Sequence, residues 1–120
     1  ARTPSTQRLP LGQPAPGFQL PDPSGKLFSP ADLPPGRIAV VLFVCNHCPY
    51  VLHIREPLGR VAREYQAKGV SFFAINSNDA AQYPDDAPAK MPAFAEAGRW
   101  DFPYLVDASQ EVAKAWHAAC

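Results

Sequence analysis

Two largely apolar runs, Ile38-Ala39-Val40-Val41-Leu42-Phe43-Val44 and Val70-Ser71-Phe72-Phe73-Ala74-Ile75-Asn76, mark strands along the chain. The first is continuous, largely β-branched and without alternation, the pattern of a strand covered on both faces. Between them the period changes. Val51, Ile54, Leu58, Val61, Ala62 and Tyr65 recur at steps of three or four, which predicts an amphipathic helix ending at Gly69 and kinked at Pro57, where the ring removes a backbone donor. Strand, helix, strand in this order implies a right-handed parallel crossover, with 38–44 at the centre of the sheet.

The flanks are less regular. Residues 1–17 show no periodicity and read as an extended Pro-rich lead-in, leaving 18–120 as the folded domain. Phe18-Gln19-Leu20 and Lys26-Leu27-Phe28 enclose the turn formers Pro21-Asp22-Pro23-Ser24-Gly25, a hairpin whose prolines suit a sheet edge. After a polar loop, a helix is expected from Asp86, as its cap, through Met91, Phe94 and Ala95 to about Ala97. Phe102 to Asp107 reads as an edge strand because Pro103 cannot donate to a ladder. Ala113 and Trp116 mark a short final helix, capped by Asp107 or Ser109.

Composition narrows the function. The 120 residues suffice for one core, and eleven basic residues balance eleven acidic ones, so no long-range field draws the protein to nucleic acid or an anionic membrane. No apolar run is long enough to span a bilayer, and the first residues lack a secretory pattern, so a cytoplasmic location is the expectation. Three cysteines do not make a disulfide-stapled scaffold, and two of them have CxxC spacing.

That spacing falls where the first buried strand meets its helix: Cys45-Asn46-His47-Cys48-Pro49. Unpaired N–H groups and the positive end of a helix favour a thiolate at Cys45, the species that attacks a disulfide. Cys48 is then placed to resolve the mixed disulfide, and the His47 imidazole to support the Cys45 thiolate. Asn46 and Pro49 flank the pair as candidate substrate contacts, and Pro49 takes an early helical position where its missing donor costs nothing. A buried acid that takes the Cys48 proton would complete the scheme. Glu56 and Glu64 lie on the relevant helix, and the role stays unassigned.

Each residue also has a plainer reading. Cys45 and Cys48 with His47 or His53 are half of a metal site, but a structural zinc site uses four ligands and no second pair is evident, so no metal or cofactor is expected. His53 and His117 read as incidental. Cys120 reads as a small buried hydrophobe, with a role as accessory thiol the second choice. Tyr50, Trp100, Trp116 and the phenylalanines read as packing, and Asp85-Asp86 as a solvated helix start.

The strings FVCNHCPYV, SFFAINSND, KMPAFAEAG, FPYLVD and SQEVAKAWHAAC, in this order, resemble the redoxin branch of the thioredoxin superfamily, the alkyl hydroperoxide reductase/thiol-specific antioxidant-like proteins that retain a CxxC. The resemblance runs from about Leu11 to the end. It implies an α/β, thioredoxin-like fold with a mainly parallel central sheet flanked by helices, and thiol-disulfide exchange with protein or small-molecule disulfides, served by a reducing partner. Peroxide-reducing members carry Thr three residues before the peroxidatic cysteine; Leu42 holds that position here, which demotes peroxidase activity. In similar proteins the residues aligned with Ala118-Ala119-Cys120 lead into a Thr, a cis-proline, two strands and a helix, and the resemblance would place Cys120 near the CxxC. The expectation is therefore a fragment, a proteolysed product, or an assembly such as a homodimer covering the edge of strand 38–44. A thiol peroxidase and a metallochaperone using Cys45, Cys48 and a histidine remain the competing functions.

Overall fold

The computed structural model describes residues 9–119. Residues 9–17 carry no helix or strand; the first eight residues of the expected lead-in lie outside the described part, together with Cys120. Two short strands, β1 (Leu20–Pro21) and β2 (Leu27–Phe28), form the antiparallel hairpin, its turn held by Asp22, which accepts hydrogen bonds from the Ser24 and Lys26 amides. There follow β3 (Ile38–Phe43), α1 (Pro49–Gln66), β4 (Val70–Asn76), α2 (Met91–Ala97), β5 (Tyr104–Val106) and α3 (Glu111–Ala115).

The main sheet has the order β3-β4-β5, and both pairings are parallel. The second apolar run therefore holds the centre. β4 alternates its side chains between two apolar layers: Phe72 and Ala74 pack with Ala62, Met91, Phe94, Trp100, Phe102 and Tyr104, whereas Phe73 and Ile75 pack with Phe18, Leu20 and Leu105. Burial on both faces is the pattern of a central strand in a parallel sheet. The central place that its pattern predicts for 38–44 is corrected: the strand lies at the edge of the described sheet, partly exposed with only one side paired, as the family resemblance implies. Pro103 precedes β5 and contributes only its carbonyl, which accepts from the Ala74 amide.

Helix α1 begins at Pro49, as anticipated, and runs through Pro57 to Gln66; Gly69 follows in a left-handed conformation at the turn into β4. Its predicted apolar stripe is only partly used. Ile54, Val61 and Tyr65 stay exposed, and the buried positions are Gly59 and Ala62. Gly59 is there for close approach: a Cβ on it would lie 2.2 Å from the Gly98 carbonyl oxygen, so the segment after α2 sits directly on the helix backbone.

The helix expected from Asp86 begins instead at Met91. Residues 84–90 form two separate 3-10 turns, Pro84–Asp86 and Pro88–Lys90. Prolines at 84 and 88 account for this, since each opens a turn and the residue before it, Tyr83 or Ala87, is out of helical geometry, whereas Pro92 sits in the first turn of α2. The last helix is anchored as expected, with the Asp107 carboxylate accepting from the Val112 and Ala113 amides and Ser109 Oγ from Glu111.

Candidate active site

Parallel strands bring their carboxyl ends to one side of the sheet, and loops at that side form the customary ligand crevice. Here the end of β3 delivers Cys45, the end of β4 delivers Asn76, and β5 delivers Tyr104 beside them. The Val44 amide still bonds to the Ile75 carbonyl at 3.0 Å, so the chain leaves the sheet only at the first cysteine.

Cys45 and Cys48 are free, half-buried thiols. Cys48 is the residue just before α1, and its carbonyl accepts the Leu52 amide at 2.9 Å. The backbone N–H groups of Cys48 and His47 act to lower the Cys45 thiol, the local influence anticipated for the start of a helix. They do not prevail. Burial pushes the Cys45 thiol up from its ordinary 9.0, the nearby Asp86 and Cys48 push it further, and the two N–H groups offset only part of this. The influence expected to favour a thiolate at Cys45 is thus opposed by burial and by the Asp86 charge, both of which favour the thiol form.

The organising group is Asp86, which the sequence suggested was a solvated helix start. Its side chain is 0% exposed. Oδ1 accepts the Asn46 amide at 2.5 Å and Asn76 Nδ2 at 3.2 Å; Oδ2 accepts Asn78 Nδ2 at 3.0 Å and pairs with His47 Nδ1. Burial alone would raise this carboxyl, but the hydrogen bonds from Asn78, Asn46, His47 and Asn76 outweigh it and hold it below its ordinary 3.8. Asp86 is therefore a buried carboxylate. Neighbouring Asp85 remains exposed and pairs loosely with Lys90.

The rest of the network fixes the CxxC turn. Asn46 is buried: its Nδ2 donates to the Asp85 carbonyl at 2.9 Å, and its Oδ1 accepts the Tyr104 hydroxyl at 2.8 Å. The Asn46 side chain is thus bound up within the protein, while Pro49 is exposed at the helix start. Burial, first of several influences, pushes the Tyr104 phenol far up, so it stays a neutral donor. The Tyr83 ring lies flat on the His47 imidazole, centroids 4.9 Å apart and planes 5° from parallel. Glu56, Glu64, His53 and His117 are all exposed, as is Tyr50. Cys120 lies outside the described residues.

Sequence reasoning missed Asp86, Asn76, Asn78, Tyr104 and Tyr83 as parts of the site. One signal existed: Asn76 ends an otherwise apolar strand at the carboxyl edge, where polar residues face a ligand crevice. Donor atoms of Cys45, His47 and Asp86 lie within 4.8 Å of one another, a set of types that suits a transition metal. Both Asp86 oxygens, however, already accept two N–H groups each, so a metal bound there would have to displace hydrogen bonds that hold the turn.

Comparisons with known proteins agree with this picture. The AhpC/TSA family model matches residues 11–120. A Mycobacterium tuberculosis protein named provisionally as a peroxiredoxin is 31% identical over 117 residues, spanning 94% of this chain and 67% of its own length. An uncharacterised conserved protein from Geobacillus kaustophilus is 49% identical with a TM-score of 0.89, covering 95% of this chain and 61% of that one. A secreted Mycobacterium tuberculosis disulfide oxidoreductase, 24% identical, has a TM-score of 0.68 over 82% of this chain and 66% of its own, a likeness that shows the fold alone. The chain spans about three fifths to two thirds of the length of these proteins. The fold is thioredoxin-like.

Proposed function

The chain belongs to the AhpC/TSA family of redoxins, and on that premise we propose that it is a thiol-disulfide oxidoreductase. Cys45 attacks a disulfide of a protein or small molecule, forming a mixed disulfide and releasing one substrate sulfur as a thiol. Cys48 then attacks Cys45, freeing the second substrate sulfur and leaving a Cys45–Cys48 disulfide, which a dithiol-class reducing partner returns to the starting state. His47 handles the proton, and the exposed Pro49 lies where a bound substrate would rest. The observation that carries this reading is the pair of half-buried thiols at the mouth of α1, the first with a His47 ring nitrogen within 4.8 Å of its sulfur.

The test is dithiothreitol-dependent insulin reduction. The expected result is turnover that disappears in Cys45→Ser, and a trapped mixed disulfide in Cys48→Ser. Unchanged turnover in Cys45→Ser would overturn the proposal. The name of the mycobacterial relative favours a second reading, a thiol peroxidase working through a Cys45 sulfenic acid. Stoichiometric hydroperoxide consumption without insulin reduction would select it, and Leu42 argues the other way.

A further inference from the structure

We propose that Asp86 is a positioning residue for the exchange reaction: by accepting the Nδ1 hydrogen of His47 it leaves Nε2 as the nitrogen that takes the Cys45 proton. This rests on the reading of Cys45 as the attacking thiol. The argument begins with the four groups around the carboxylate. The Asn46 amide, Asn76 Nδ2 and Asn78 Nδ2 have only hydrogens to offer. An ionised carboxylate has only lone pairs. His47 Nδ1, paired with the same buried group, must therefore present its hydrogen to Oδ2, and in a neutral imidazole this makes Nε2 the basic nitrogen.

Three further observations give that nitrogen a purpose. Tyr83 stacks on the ring and restricts its rotation. The His47 side chain is 36% exposed although its partner is sealed from solvent, so the imidazole connects the buried carboxylate to the surface where a substrate would arrive. A His47 ring nitrogen lies within 4.8 Å of the Cys45 sulfur, which places the imidazole beside the thiol and leaves Nε2, the nitrogen not held by Asp86, to reach it through a bridging water. The Cys45 thiol gives its hydrogen to Nε2 as its sulfur bonds to the substrate. The substrate disulfide breaks, and the departing sulfur takes the hydrogen from the imidazolium, which Asp86 has stabilised in the meantime. Atoms and charge balance, and the carboxylate keeps its charge throughout.

A bare negative charge close to Cys45 would hinder ionisation of the thiol; only through the imidazole does Asp86 assist it. The sign of the effect is therefore diagnostic. The experiment follows iodoacetamide alkylation of Cys45 in the reduced full chain, resolved by peptide mass spectrometry across the neutral pH range, in wild type, Asp86→Asn, His47→Gln and the double variant. Asp86→Asn should slow alkylation about a hundredfold, the lower end of the usual range for general-base assistance. His47→Gln should do the same and flatten the pH profile, and the double variant should be no slower than His47→Gln alone. Faster alkylation in Asp86→Asn, or a full Asp86→Asn deficit in the His47→Gln background, would overturn the proposal. Should Asp86→Asn fail to fold, the wild type decides by nitrogen-15 NMR: hydrogen on Nδ1 of neutral His47 supports the inference and hydrogen on Nε2 ends it. None of these measurements needs a disulfide substrate, so absence of insulin reduction would count against the exchange reading alone.

Discussion

Asp86 and Asp107 are the same device put to different uses. Both are sealed inside the protein, Asp107 directly after β5 and Asp86 in the turn Pro84–Asp86 between β4 and α2, and both are surrounded by donors. Asp107 accepts the Ser77 hydroxyl and the amides of Val112 and Ala113, five and six residues further along the chain, and so fixes the start of α3. Asp86 reaches 40 residues back to the Asn46 amide and 39 to His47. A buried carboxylate is tolerated where hydrogen bonds satisfy it, and the origin of those donors decides what it stabilises. Local donors make a cap; distant ones tie a reactive turn to the far side of the crevice.

Removing each carboxylate separates the two uses. Asp86→Ala leaves buried amide donors from three asparagines and one imidazole without an acceptor, and is expected to cost about 3–5 kcal/mol by analogy with broken buried charge pairs. Urea denaturation monitored by tryptophan fluorescence measures it, and a loss below that of a surface substitution would show that the network relaxes freely. Asp107→Ala should cost about 1–2 kcal/mol, the value of a helix cap, and leave Cys45 alkylation at the wild-type rate. A changed alkylation rate in that variant would erase the distinction between the two residues.

The smallest effect is in the acid limb of stability. Because the folded protein holds Asp86 below its ordinary 3.8, its contribution is complete above that value and is lost as pH falls through the lower folded value. Wild type should therefore lose stability below about pH 4 more steeply than Asp86→Asn, whose replacement side chain has no proton to gain. Parallel melting curves for the two down to low pH would contradict this.

The two carboxylates also differ in how visible they were before folding. Asp107 precedes a short apolar period and announces itself as a cap, because its two amide partners follow it by five and six residues. Asp86 follows a polar loop and sits beside exposed Asp85, so no local pattern separates the buried one from the solvated one. The same division runs through the fold. The apolar runs 38–44 and 70–76 identify strands and the crossover between them, yet the more continuous of the two is not the central one, and only pairing places β4 in the middle and β3 at the edge of the described sheet. Along α1, periodicity marks a helix, but the close approach of Gly98 to Gly59 selects which strip is covered and leaves Ile54, Val61 and Tyr65 outside.

By itself the sequence determined the α/β order of elements, the position of the CxxC between a strand and a helix, the proline that opens that helix and the family resemblance, since all of these depend on neighbours within a few residues. Tertiary structure alone decided the ionisation of the site. Whether Cys45 rests as thiol or thiolate depends on burial and on a charge 41 positions away in the chain. Electrostatic fields act through space, at distances that only the fold sets.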